Sequence, residues 1–292
     1  MPFPVSARRS ARCALALGLA CAVTPARAQS PVGPGAPGAP RTPVTLPGTE
    51  VRTLHSTATG RDYDLYIAFP GGYTPNPSTK YPVVYILDGQ WDFKLMASVY
   101  GGLVYDRWVP PMMLVGITYS GTSPSYDALR AMDYTPVHTG NVAGSGDGPK
   151  FLSFLRDQVI PLVESSYPAD PSRRVLLGAS YGGLFTLYTL FAQPALFSRY
   201  IAGSPAVPYA DNFVFRQEAD FFAHHHELPA RVWIAVGDAE PLLGPDQSFI
   251  KVLQSRHYTG LTLGTRVIEG ERHSGNKPES FNRGLRFVFA GD

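Results

Sequence analysis

Apolar runs at residues 83–87, 112–118, 175–177, 200–202 and 232–236 show little polar alternation, as expected of strands buried on both faces of a parallel sheet. Between them lie segments of helical character, 93–105, 150–166, 182–192, 211–226 and 247–258, so strand and helix alternate from residue 82 onward. That order predicts a doubly wound α/β sheet. Segments 51–57 and 62–69, joined by Thr59-Gly60-Arg61, alternate well enough to predict an antiparallel hairpin at the sheet edge, with Leu65 and Ile67 on one face. One more strand is expected over 262–268, followed by a closing helix over 278–289 whose Pro278 suits a first helical turn. No internal repeat is present.

The N-terminal pattern is different. Arg8, Arg9 and Arg12 precede an apolar run over 13–23 and an Ala26-Arg27-Ala28 end, the layout of a secretory signal peptide with cleavage after Ala28. The run is about half the ~20 residues that a bilayer span needs. Residues 1–28 are therefore expected to be removed, leaving a periplasmic or secreted protein. Residues 29–48, with Pro31, Pro34, Pro37, Pro40, Pro43 and Pro47 among glycine and alanine, read as a disordered linker to a catalytic domain over 49–292.

This division changes what composition implies. The whole chain carries a formal charge of +2, but the leader holds four arginines and no acid, leaving 21 basic and 23 acidic side chains beyond it. No basic face for nucleic acid or an anionic membrane is expected. Both cysteines, Cys13 and Cys21, also lie in the leader, which argues against a disulfide, a thiol nucleophile or a thiolate metal site in the mature protein.

The chemistry centres on Gly178-Ala179-Ser180-Tyr181-Gly182, directly after the run Val175-Leu176-Leu177 and before the helical segment 182–192. The pentapeptide alone is loose, and a glycine-rich loop would also fit it. A serine between strand and helix, with small residues two positions away on either side, is the pattern of a nucleophile elbow. A serine hydroxyl needs an imidazole to take its proton and an acid to orient that imidazole. His273 follows the last strand and precedes the closing helix, whereas His55 lies in the edge hairpin, His138 in a loop and His257 near a helix end. After strand 232–236, Asp238 and Glu240 compete for the acid's role. Glu240 is preferred, because the turn at Gly237 leaves it two more residues of reach, while Asp238 suits a loop cap. For an oxyanion the expected backbone donors are the N–H of Tyr181 and that of Gln90, in the turn Leu87-Asp88-Gly89-Gln90.

These residues resemble the putative esterase, or esterase D-like, family of α/β-hydrolases, which includes siderophore esterases. The likeness spans about residues 50–290. It is carried by Tyr81-Pro82-Val83-Val84-Tyr85-Ile86-Leu87-Asp88-Gly89, by Arg130-Ala131-Met132-Asp133-Tyr134-Thr135-Pro136, by the elbow, by Ser204-Pro205 and by Val236-Gly237-Asp238-Ala239-Glu240. It implies an α/β-hydrolase fold, Ser180, Glu240 and His273 as a triad, Gln90 and Tyr181 as oxyanion donors, and no cofactor or metal. Tyr181 stands where the family often has leucine or methionine, and 204–207 lacks the tryptophans common in its siderophore esterases. Arg130, in a motif similar to theirs, is expected to face an anionic substrate, and Trp91 with Tyr126 either to line an aromatic or acyl pocket or to serve in packing.

The resulting expectation is an exported serine esterase acting on a small-molecule ester, of siderophore type. A carbohydrate esterase or acyltransferase with the same triad, or a noncatalytic binding protein of the same fold, are the alternatives. His224-His225-His226 looks metal-binding by composition, but successive helical residues point about 100° apart, so a solvated helix end is the better reading. The glycine-rich stretch 140–148 lacks a phosphate-loop ending and is expected to form a mobile lid.

Overall fold

The sheet has eight strands. The computed structural model describes residues 43–75 and 78–292; the predicted signal peptide and the linker up to residue 42 lie outside the described residues. The folded unit runs over Leu46–Asp292. In chain order its elements are β1 (Thr49–His55), β2 (Asp62–Ala68), β3 (Tyr81–Ile86), α1 (Gly89–Tyr105), β4 (Met113–Tyr119), α2 (Tyr126–Asp133) and α3 (Gly148–Phe154). A π-helical turn (Leu155–Val159) leads into α4 (Ile160–Ser166), then β5 (Ala169–Ala179), α5 (Tyr181–Ala192), β6 (Arg199–Gly203) and α6 (Tyr209–His224). The chain closes with β7 (Arg231–Gly237), α7 (Leu243–Arg256), β8 (Thr262–Ile268) and α8 (Lys277–Val288).

The strand order is β1-β2-β4-β3-β5-β6-β7-β8. β1 and β2 form the expected antiparallel hairpin, β2 joins β4 antiparallel, and every other pairing is parallel. This is the mostly parallel α/β-hydrolase sheet that the sequence predicts.

Strand periodicity explains the continuous apolar runs. Side chains alternate faces along a strand, so Val83 and Tyr85 of β3 and Val232 and Ile234 of β7 enter one core with α3 to α7. Val84 and Ile86, and Trp233 and Ala235, enter the opposite core with Phe93, Met96 and Tyr100 of α1 and Phe281 and Leu285 of α8. Both faces are covered, so neither has a polar alternate.

Three local departures have physical causes. The helix expected over 150–166 opens into a π-turn because Pro161 has no N–H to give the Asp157 carbonyl and its ring crowds that oxygen. Helix α6 begins with Ala210, Asp211 and Asn212 in left-handed backbone, with φ of 50°, 53° and 62°. Arg216 braces this turn by donating to the carbonyls of Ala210 and Asp211. The stretch 140–148, expected to be a mobile lid, is pinned: Gly146 N–H donates to Thr135 Oγ1 at 2.8 Å, Asp147 N–H to Met132 O at 3.0 Å, and Arg61 pairs with Asp147 at 3.2 Å. The three histidines spread apart, with His225 against Phe221 and His226 against Phe222.

Candidate active site

Ser180 follows β5, near the middle of the sheet, and its backbone takes φ 59° and ψ −120°. A non-glycine residue in such a region costs about 1–3 kcal/mol, so the surroundings must hold it. They do: Ser180 N–H donates to Gly203 O at 2.9 Å, and its carbonyl accepts from Leu184 N–H at 2.8 Å and Ala206 N–H at 3.1 Å. The flanking glycines are required by space. A Cβ at Gly178 would sit 2.5 Å from the Gly182 carbonyl carbon, and one at Gly183 2.9 Å from Pro205 Cα. β5 can therefore turn straight into α5, which presents its first N–H groups without an acceptor one turn back.

Across the same end of the sheet, Glu240 and His273 meet. Glu240 lies after β7 with its side chain 1% exposed, and His273 after β8 with its ring at the surface, 41% exposed; Glu240 Oε2 is 2.6 Å from His273 Nδ1. Glu240 Oε1 accepts from Ser204 Oγ at 2.5 Å, Gly237 N–H at 2.9 Å and Asn276 Nδ2 at 3.1 Å. This carboxylate is thus fully coordinated by donors, and its remaining oxygen fixes the ring. Asp238 does something else: its Oδ1 caps the N–H of Gly270 at 2.8 Å.

The turn after β3 brings up the second predicted N–H. Asp88 adopts left-handed backbone, φ 55° and ψ 43°, and starts α1, so Gln90 N–H lies in an unsatisfied first helical turn. Neither Gln90 N–H nor Tyr181 N–H has an acceptor among the described residues. The Gln90 side chain is tied down, accepting from Thr118 Oγ1 at 2.8 Å. Gly89 is needed for contact, since a Cβ there would lie 2.8 Å from the Gly116 carbonyl carbon.

Arg130 is not the free cation that the sequence suggested. Its guanidinium grips buried Asp88 with two bonds of 2.8 Å, Nε to Oδ1 and Nη2 to Oδ2. Burial opposes its charge, yet Asp88 more than offsets burial and holds the arginine pKa above its ordinary value. Because Asp88 opens α1 and Arg130 Nη2 also reaches Ala179 O at 3.4 Å, the pair ties the Gln90 turn to the serine turn. The faces of Arg130 lie against Trp91 and Tyr181, 5.6 and 5.4 Å from the ring centroids. Trp91 in turn packs edge-on against Tyr126, and Tyr181 against Tyr209. Trp91, 43% exposed, therefore belongs to an aromatic rim beside Ser180.

Sequence reasoning assigned no role to five residues here. Ser204, with φ 40°, and Asn276 orient Glu240, and Asn276 Nδ2 also donates to Ser204 Oγ at 2.8 Å. The three-residue spacing from His273 to Asn276 was the available signal. Lys277 Nζ grips Asp92 at 2.8 and 3.1 Å, joining the helix after the His273 loop to the helix after the Gln90 turn. Burial pushes the Asp92 carboxyl up to about 6 despite Lys277. Asp246, fully buried on α7, has neither oxygen partnered among the described residues, and burial together with the nearby Glu240 charge pushes it up to about 9.

A doubly wound sheet with a strained serine between strand and helix, and a carboxylate and histidine paired at the same end of the sheet, is the α/β-hydrolase arrangement. The enzyme is a carboxylic ester hydrolase. It belongs to the Putative esterase family, whose model matches residues 56–276. The ferri-bacillibactin esterase BesA of Bacillus subtilis (strain 168) is 29% identical over 268 residues, 85% of this chain and 92% of its own. Among solved structures, the BES protein from Bacillus cereus superposes with a TM-score of 0.77 at 25% identity, covering 85% of this chain and 97% of that one. The siderophore hydrolase EstB from Aspergillus nidulans gives 0.72 at 25% identity, covering 87% and 98%.

Proposed function

We infer that the protein is an exported serine esterase that cleaves siderophore-type esters through an acyl-enzyme on Ser180. The observation that carries this reading is the 2.6 Å pairing of His273 Nδ1 with Glu240, at the end of the sheet where the chain also strains Ser180. The donors around Glu240 Oε1 make that carboxylate an acceptor, so the proton between the pair belongs on Nδ1 and leaves Nε2 as the base. Ser180 Oγ attacks the ester carbonyl carbon as its proton passes to Nε2. The N–H groups of Tyr181 and Gln90 take the oxyanion, where charge develops only on the way to the tetrahedral intermediate. Collapse breaks the bond to the alcohol, which leaves with the proton from His273. Water then repeats the sequence on the acyl-enzyme and releases the acid.

The siderophore assignment rests on the similarity to the ferri-bacillibactin esterase BesA and the siderophore hydrolase EstB and on the rim of Trp91, Tyr126, Tyr181 and Tyr209, whose faces suit flat aromatic acyl groups. Purified protein supplied with bacillibactin, iron-free and iron-loaded, should release linear products by chromatography, and Ser180→Ala should release none. Unchanged turnover in Ser180→Ala would remove the mechanism, while p-nitrophenyl ester hydrolysis without siderophore cleavage would remove only the substrate. Export is tested by the N-terminus of the protein recovered from the periplasm or medium, expected at Gln29.

A further inference from the structure

The opposite end of the sheet carries a cationic cleft with no part in the chemistry above. It has a volume of about 540 Å³ and is lined by Arg107, Trp108, Arg283, Arg286, Phe287 and Phe289, among others. It lies below the N-terminal ends of β6 and β7, whereas Ser180 follows the C-terminal end of β5, with which β6 and β7 run parallel. The indole of Trp108 is half exposed at 53%, and the Arg286 guanidinium lies over its face at 3.8 Å from the centroid.

Three arginines, Arg107, Arg283 and Arg286, line this cleft against one acid, Asp292. Arg107 and Arg286 have no carboxylate or carbonyl acceptor for their side chains among the described residues; Arg283 is paired with Glu279. Behind Phe289 and Phe287 lie Arg199 and Arg231, direct neighbours across β6 and β7, each against one of those rings. Arg199, 8% exposed, has one carboxylate, Asp292, at 2.9 Å, and its Nη1 has no acceptor; Arg231 Nε has none either. Burial, and then the charges of Arg231 and Arg173, hold the Arg199 pKa below its ordinary value although Asp292 opposes them. Like charges placed side by side destabilise a sheet, and buried donors normally find acceptors. An anion at the mouth of the cleft meets Arg107 and Arg286, which line it without an acceptor, and its charge offsets part of the repulsion from the buried pair behind the rings.

The backbone adds a third observation. Two residues past the end of α1, Arg107 takes φ 60°, where the bonds Arg107 N–H to Val104 O and Trp108 N–H to Leu103 O close a turn that glycine usually occupies. An arginine there keeps a guanidinium at the rim of the cleft and sets Trp108 beside it, at the cost of left-handed strain.

We propose that this cleft is a second, non-catalytic binding site for a small organic anion, one carrying a carboxylate or similar oxyanion on a flat apolar body. The volume is in the range of small-molecule sites. Guanidinium groups answer the oxyanion, preferring its planar oxygens. The rings of Trp108 and Phe287 answer the flat body and give nothing to a hydrated inorganic ion.

The test is calorimetric titration of the full chain with 2-naphthoate, with 2-naphthol and inorganic phosphate as the two half-ligands. Naphthoate should bind one-to-one with a Kd below about 1 mM. Naphthol and phosphate should each bind at least about tenfold more weakly, and Arg286→Gln should weaken naphthoate by a similar factor. Trp108→Ala should weaken naphthoate but not phosphate. Both variants should keep the parent's unfolding temperature and its p-nitrophenyl butyrate turnover. Absence of naphthoate binding, or binding indifferent to Arg286→Gln, overturns the site. Phosphate binding as tightly as naphthoate overturns the flat body. Naphthoate acting as a competitive inhibitor of ester hydrolysis, with Arg286→Gln leaving that inhibition intact, places the ligand at the catalytic end and also overturns it. The Arg286 comparison needs no turnover, so failure of the esterase reading and failure of this site are separately visible.

Discussion

Glu240 reaches His273 with one oxygen and is held by Ser204, Gly237 and Asn276 through the other, whereas Asp238, two residues earlier, caps Gly270. The two acids are therefore expected to behave differently. Glu240→Gln places an amide N–H against the ring and disfavours the base-competent tautomer, with an expected loss in kcat of about 10³–10⁴-fold. Asp238→Asn removes only a loop cap and should leave kcat within a few-fold. Steady-state kinetics on p-nitrophenyl butyrate checks both, and equal losses would put the acid's role in doubt.

Ser180 is expected to cost stability because its backbone is held in a strained conformation. At φ 59° and ψ −120° a glycine is relaxed and a serine is not. Ser180→Gly should abolish turnover while raising unfolding free energy by about 1 kcal/mol. Denaturant unfolding of parent, Ser180→Gly and Ser180→Ala separates strain from loss of the hydroxyl, since alanine retains the strain.

Arg130 and Asp88 form a pair that neither partner can leave singly. Their side chains are 12% and 1% exposed, so Arg130→Gln strands a buried carboxylate and should cost about 3–5 kcal/mol. Adding Asp88→Asn should recover part of this loss, which a double-mutant cycle by chemical denaturation would measure. A near-zero coupling energy would show that the contact has little energetic weight.

Asp246 sets a pH dependence of stability. Its pKa is about 9 in the folded protein and near 3.8 unfolded, so between these values the native state holds a proton that the unfolded chain has lost. Its destabilising contribution is absent below about pH 4, grows as pH rises toward 9, and is constant above. Asp246→Asn removes it. The variant should be more stable than the parent at pH 8, with the gain shrinking toward pH 4. Unfolding temperatures across that range test the sign, and a gain that grows on acidification would contradict it.

Much of this molecule was legible in one dimension. Runs such as 83–87 and 232–236 are apolar because each strand is covered on both faces, and that demand is written into adjacent residues. The elbow was legible for a similar reason: a Cβ at Gly178, two positions before Ser180, would strike the backbone of Gly182, two positions after it, so the demand falls on neighbouring residues. The pinned loop at 140–148 and the π-turn at Leu155–Val159 were missed. The first depends on partners such as Thr135 and Arg61, and the second on how a helix accommodates Pro161 rather than stopping at it.

By itself the sequence determined the doubly wound class, the edge hairpin and the short set of residues able to carry ester chemistry, because periodicity and turn chemistry act over a few neighbouring residues. Only the tertiary structure decided which acid meets His273, that Arg130 is committed to Asp88, and that Lys277 reaches Asp92 across 185 positions of chain. Those outcomes depend on the direction and reach of side chains brought together by the sheet, and charge and hydrogen bonding act through space rather than along the chain.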